Sequence, residues 1–191
     1  MRIGYSVEGS TDRALLTGLR YRWCPAAEII EGRFRGRSGQ SQRREIPNTC
    51  RELSSKGVDL AVFIRDANAE DWRDVLKADR ARCPVEHQHL AVFAVCDRNV
   101  ECWLCADPSW ISARTGRPQA EFAVDDPKGV FESAMQISTF DRKEPEIAAL
   151  VQDAPLRAWL RNASFEAFYG DLWRKSIESG CRIENLRENP A

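Results

Sequence analysis

Gly57-Val58-Asp59-Leu60-Ala61-Val62-Phe63-Ile64-Arg65-Asp66 is the stretch on which the reading of the fold turns. Residues 58–64 form an essentially apolar run, closed by Gly57 on one side and Asp66 on the other. It lacks the in-out alternation of a strand wetted on one face, and so fits a strand covered on both faces, as in a parallel sheet. Outward from it, residues 3–7 and 90–96 repeat the signature, and 27–30 is a shorter apolar run. Helical patterns lie between. Residues 12–22 place Leu15, Leu16 and Leu19 on one face. Residues 41–53 read as a helix that Pro47 breaks or begins, and 71–81 and 99–106 follow, the last stopped by Asp107-Pro108. Strand–helix alternation with buried strands predicts an α/β sandwich on a mostly parallel sheet over residues 1–125. From Asp126 onward, residues 128–135, 144–151, 155–160 and 165–179 all read as helices. Residues 126–191 are therefore expected to be a helical extension packed on the α/β part.

Bulk properties set limits. A chain of 191 residues, 43% hydrophobic and 30% charged, has globular composition and the length of one ordinary domain with a small appendage. Its net charge is −1, so nucleic-acid binding must rest on a local basic patch. No apolar run approaches the roughly 20 residues that span a bilayer. Seven scattered cysteines, with no secretory pattern at the start, predict a cytoplasmic protein whose thiols are free.

Acidic residues fall where the strands end. Glu8 ends the first strand, Asp66 ends the strand over 58–64, and Glu101 follows the strand over 90–96. In a parallel sheet those ends share one rim, the rim at which ligands bind. Carboxylates gathered there repel unless a cation neutralises them, and their hard oxygens suit Mg²⁺ or Mn²⁺. Each residue alone also has a bland reading, as a turn residue or a charge at a helix N-terminus.

Val7-Glu8-Gly9-Ser10-Thr11-Asp12 resembles the opening V-E-G-x-[ST]-[DE] of Toprim domains, the fold of topoisomerases, primases and overcoming-lysogenisation-defect nucleases. Phe63-Ile64-Arg65-Asp66-Ala67-Asn68 resembles their second element, a strand ending in D-x-D. Val100-Glu101-Cys102-Trp103-Leu104-Cys105-Ala106-Asp107 is similar to a third element, E-x-W-[LI]-x-A-D, of small Toprim-like proteins encoded beside ATPases. The resemblance covers residues 1–110. It implies a Toprim-like Rossmann-type sandwich in which Glu8 acts as acid/base or metal ligand and Asp66 is a metal ligand. Glu101, and less directly Asp107, would complete the site. The departure is Asn68, which stands where the family has its second aspartate; its amide oxygen can still bind Mg²⁺ but brings no charge.

Other constellations carry less. Arg33, Arg35, Arg37, Arg43 and Arg44 cluster in and after a glycine-rich loop, a pattern that suits phosphate contacts or simply a solvated loop. Cys102 and Cys105 form a C-x-x-C without the second pair that zinc needs, and His87 and His89 read as an exposed loop. Trp103, Trp110, Trp159 and Trp173 read as packing residues. No P-loop is present, so any ATP must be bound by a partner.

These readings predict a Mg²⁺- or Mn²⁺-dependent nuclease or nickase acting on nucleic acid. By the resemblance it would work with a partner ATPase in a prokaryotic antiviral defence module, its C-terminal helices docking that partner or a second copy. Two alternatives stand beside it. One is a non-catalytic Toprim-like regulatory or binding subunit of an ATPase complex; the other is a small-molecule phosphotransfer or nucleotide-binding protein using the same rim.

Overall fold

Arg2–Val7 (β1), Glu28–Glu31 (β2), Leu60–Asp66 (β3) and Ala91–Cys96 (β4) form one all-parallel sheet in the order β2-β1-β3-β4. This is a computed structural model, and it describes residues 1–32, 39–138, 141–178, 181 and 183–188. Every residue of β4, and all of β3 but Asp66, is buried. Period-two geometry then sends alternate side chains to opposite faces. Leu60, Val62, Ile64, Val92, Ala94 and Cys96 enter one apolar cluster. Ala61, Phe63, Ala91, Phe93 and Val95 enter another.

Helices fill both faces, giving a Rossmann-like three-layer sandwich. The helices Gly39–Ser55 (α2) and Trp72–Arg82 (α3) cover the face of Phe63 and Phe93. The opposite face takes Ser10–Trp23 (α1) together with Glu101–Leu104 (α4), Pro108–Thr115 (α5), Gln119–Phe122 (α6), Lys128–Ala134 (α7), Glu144–Asp153 (α8), Leu156–Trp159 (α9) and Ala163–Glu178 (α10). That face holds one continuous apolar cluster, from Ile3 through Trp103 and Phe168 to Leu186. Residues before and after Asp126 thus share a core, with α8 against α1 and α10 against β4. Trp103 and Trp159 are fully buried, and Trp110 and Trp173 pack on the same cluster.

Two glycines permit close approach. A Cβ on Gly4 of β1 would fall 2.7 Å from Leu53 of α2, and one on Gly18 of α1 would fall 2.5 Å from both the Ala148 carbonyl oxygen and the Val151 Cβ of α8. Pro47 neither breaks nor begins α2 but sits inside it. A proline inside a helix costs about 3 kcal/mol. Burial of Ile46, Cys50 and Leu53 from the same helix against the sheet offsets that cost. The expectation of free thiols fails at one pair, since a disulfide joins Cys24 to Cys181, Cα–Cα 5.7 Å. Pairing between cysteines 157 residues apart is not readable from spacing. Cys50, Cys83, Cys96, Cys102 and Cys105 remain thiols. Among the described residues, no helix is long and apolar enough to cross a membrane.

Candidate functional site

The strand order itself selects the location of the site. From β1 the chain steps to β2 on one side, then crosses back to β3 on the other, and α1 and α2 lie on opposite faces. The connections leave the carboxyl ends of β1 and β3 in opposite directions, which opens a crevice there. Val7 is in register with Ile64, so Glu8 and Asp66 leave adjacent strands at the same level. Gln42 of α2 clamps this edge: its buried Nε2 donates to the Ser6 carbonyl (3.0 Å) and the Ile64 carbonyl (3.1 Å).

A cleft of about 890 Å³ opens at that point, and Glu8, Asp12, Asp66, Glu101, Lys128 and Glu132 are among its walls. Asp66 is oriented by the Val100 N–H, which donates to its Oδ1 at 3.0 Å. Glu101, one residue further on, opens α4 and is only 2% exposed. Asp12, in the first turn of α1, accepts from the Gly9 N–H (2.9 Å) and the Glu8 N–H (3.2 Å) and so holds the turn that carries Glu8.

The electrostatics are those of a site short of positive charge. Burial pushes Glu8 up to about 7; Arg65 pulls it back, while Asp66 and Asp79 push it further. Burial likewise raises Glu101 to about 7, against its own backbone and Lys128, with Asp66 and Glu132 adding to the rise. Asp66 is raised to about 6 by burial, against Lys128, the Val100 N–H and Arg65. Asp12 lies well above the usual carboxylate range, through burial and then the nearby Asp66. Burial opposes the charge of Lys128, yet Glu101, Asp66, Glu132 and Asp12 together outweigh it and raise its pKa. Two buried carboxylate oxygens, Glu8 Oε1 and Glu101 Oε2, have no hydrogen-bond partner.

Behind Glu8 runs a buried ion chain. Arg65 Nε stands 3.7 Å from Glu8 Oε1, Arg65 Nη1 3.6 Å from Asp79 Oδ1, and Arg43 Nε donates to the same Asp79 oxygen at 2.6 Å. Arg65 and Asp79 are 3% and 1% exposed, so each relies on the other for charge compensation in the interior.

Of the residues singled out in the sequence, Glu8, Asp66 and Glu101 are brought to one cleft. Two are not. Beyond Asp66 the chain runs along β4, with the Ala67 N–H on the Cys96 carbonyl and the Asn68 N–H on the Arg98 carbonyl, and Asn68 is exposed outside the cleft lining. Asp107 caps α5 instead, accepting from the Ser109 hydroxyl (2.6 Å) and the Trp110 N–H (3.0 Å). Those bonds hold it below the usual carboxylate range. Arg43 is engaged by Asp79 rather than free for phosphate, Arg44 is exposed on α2, and Arg33, Arg35 and Arg37 lie outside the described residues. Asp12 reads in sequence as a helix-start residue, and Lys128, Glu132 and Arg142 come from the helical C-terminal part; only the fold reveals them as cleft walls.

Among the described residues no three His, Cys, Asp or Glu side chains form a ready-made metal cluster. Mg²⁺, however, is commonly held by one or two carboxylates, with waters and substrate phosphate completing its shell. Two buried carboxylate oxygens without hydrogen bonds, among acids of raised pKa, fit that kind of open site. Comparison with protein-family models, curated proteins and solved structures finds no match to this chain.

Proposed function

We propose that this chain is a Mg²⁺- or Mn²⁺-dependent nuclease or nickase of Toprim type, cutting phosphodiester bonds in nucleic acid. The observation that carries the reading is the gathering of Glu8, Asp66 and Glu101 in one cleft at the switch point of a parallel sheet, with the buried Glu101 Oε2 left without a hydrogen bond. Asp66 and Glu101 would hold the cation. When bound, a divalent ion supplies neutralisation of the phosphoryl charge and a water that ionises near neutral pH. Glu8, raised to about 7, is suited to holding a proton at Oε1 or releasing it around neutrality. Lys128 and Arg142, on the cleft wall, are the cations that would meet the phosphodiester backbone. Under this reading a partner ATPase would load or sense the substrate, as the resemblance implies.

A second reading, a non-catalytic regulatory or binding subunit, is favoured by one observation: Asn68 stands outside the cleft and gives it no further ligand. Incubation with supercoiled plasmid and with single-stranded DNA and RNA, in Mg²⁺ or Mn²⁺, separates the two. It is run alone and with any ATPase encoded beside the chain. Cleavage that disappears in Glu8→Ala and Asp66→Ala variants of unchanged circular dichroism supports the nuclease. Cation binding without cleavage in every combination supports the regulatory subunit. Neither binding nor cleavage contradicts both.

A further inference from the structure

Cys50 and Cys83 make a second chemically distinctive cluster, within the α2/α3 layer rather than the acidic cleft. Cys50 lies on α2 and Cys83 caps α3; their sulfurs are 3.7 Å apart, and both residues are buried. Cys50 is sealed at 0% exposure, but Cys83 forms part of the wall of a cavity of about 180 Å³, together with Arg80, Asp171 and Lys175. The Lys175 ammonium is fixed there by donating to the backbone carbonyls of Gln88 (2.8 Å) and Ala91. The two thiols are therefore unequal. One faces a small space walled by Arg80, Lys175 and their shared partner Asp171, and the other is sealed from it.

We infer that Cys83 and Cys50 are a peroxide-reactive thiol pair, in which Cys83 is oxidised first and Cys50 closes the disulfide. The Cys83 sulfur attacks one oxygen of hydrogen peroxide. An S–O bond forms, the O–O bond breaks, and the departing hydroxide takes up the thiol proton as water. The Cys50 sulfur then attacks the Cys83 sulfenic acid; an S–S bond forms, the S–O bond breaks, and a second water leaves with the Cys50 proton. Two thiols lose two electrons in all, and one peroxide becomes two waters. Closing the disulfide shortens the sulfur–sulfur distance from 3.7 Å to a bond of about 2.05 Å.

Charge supports the order. The hydrogen bond with Cys50 holds the Cys83 thiol below its usual range; burial opposes this, and Lys175 adds to it. The same hydrogen bond pushes Cys50 up. Cys102 is more exposed than either, yet burial pushes its thiol up to about 11. Reactivity governed by the thiolate and its neighbours selects Cys83, whereas reactivity governed by exposure selects Cys102.

The test uses the full chain with its Cys24–Cys181 disulfide intact. The protein is treated with hydrogen peroxide, the remaining thiols are alkylated at intervals, and unreduced peptides are examined by mass spectrometry. Cys50 and Cys83 are expected to disappear together into one cross-linked peptide, on the order of tenfold faster than Cys102 is lost. Cys50→Ala is expected to accumulate a dimedone-reactive sulfenic acid at Cys83, and Cys83→Ala to leave Cys50 reduced. Loss of Cys102 before Cys83, or oxidation of Cys50 at the wild-type rate in Cys83→Ala, overturns the inference. The wild-type time course decides the matter even if either variant fails to fold.

Discussion

Glu101 is 2% exposed, its Oε2 has no partner, and burial has pushed its carboxyl to about 7. The folded state therefore prefers the protonated acid, while the unfolded chain ionises near pH 4.3. Between those values the unfolded state binds fewer protons, so stability is greatest at the acid end and falls as pH rises towards 7. Glu8 acts in the same window, and Asp66 up to about 6. In chelator, the melting temperature is expected to drop from about pH 5 to about pH 8, and saturating Mn²⁺ to restore most of the loss at the higher pH. Glu101→Gln is expected to raise the melting temperature at pH 8, change it little at pH 5, and weaken Mn²⁺ binding. A variant destabilised equally at both pH values would show that the side chain acts through packing rather than charge. Glu8→Gln, which keeps the shape and removes the titration, is expected to lower cleavage by about 100- to 10,000-fold. Glu8, Asp66 and Glu101 were legible in the sequence because each follows an apolar run, and run ends in a parallel sheet share a rim. That Glu8 would face Arg65 and that Glu101 Oε2 would be buried without a hydrogen bond was not, since both depend on neighbours that only the folded chain brings near.

At the scale of elements, α1 meets α8 through Gly18. Replacing a helical glycine by alanine normally gains about 0.5–1 kcal/mol. Here the new Cβ would lie 2.5 Å from a backbone oxygen and from Val151, so Gly18→Ala is expected to cost about 1–3 kcal/mol by overpacking. Urea denaturation checks the sign. Asp79 on α3 neutralises Arg65 and Arg43, and Asp79→Ala, which leaves the buried Arg65 with Glu8 as its carboxylate partner, is expected to destabilise the fold by about 1–3 kcal/mol. The strands and longer helices were readable within two or three residues, because β3 and β4 are continuous apolar runs and α1 and α10 keep a helical period. The short helices α5 and α6 were missed, as proline-led segments of weak periodicity. The pairing of Arg43 with Asp79 was not legible, because the two lie 36 residues apart.

At the scale of the whole molecule, a chain of net charge −1 assembles a cleft in which Glu8, Asp66 and Glu101 come from strand ends and Lys128, Glu132 and Arg142 from the C-terminal helical part. The alternating pattern made the sandwich legible, but it gave no hint that residues after Asp126 would wall the site. If those cations meet phosphates, the Lys128→Gln, Arg142→Gln double variant is expected to bind every nucleic-acid sequence more weakly and to reduce the slope of log affinity against log salt by about 1–2. Measurement of binding at several salt concentrations reads this directly. The proposed cleavage depends on Asp66 and Glu101 holding a divalent ion beside Glu8. Crystals soaked in Mn²⁺ near pH 8 and measured for anomalous scattering put that to the test. The expected result is a manganese peak in the cleft within bonding distance of Asp66 and Glu101. A cleft without a peak, or a peak bound only elsewhere, would contradict it.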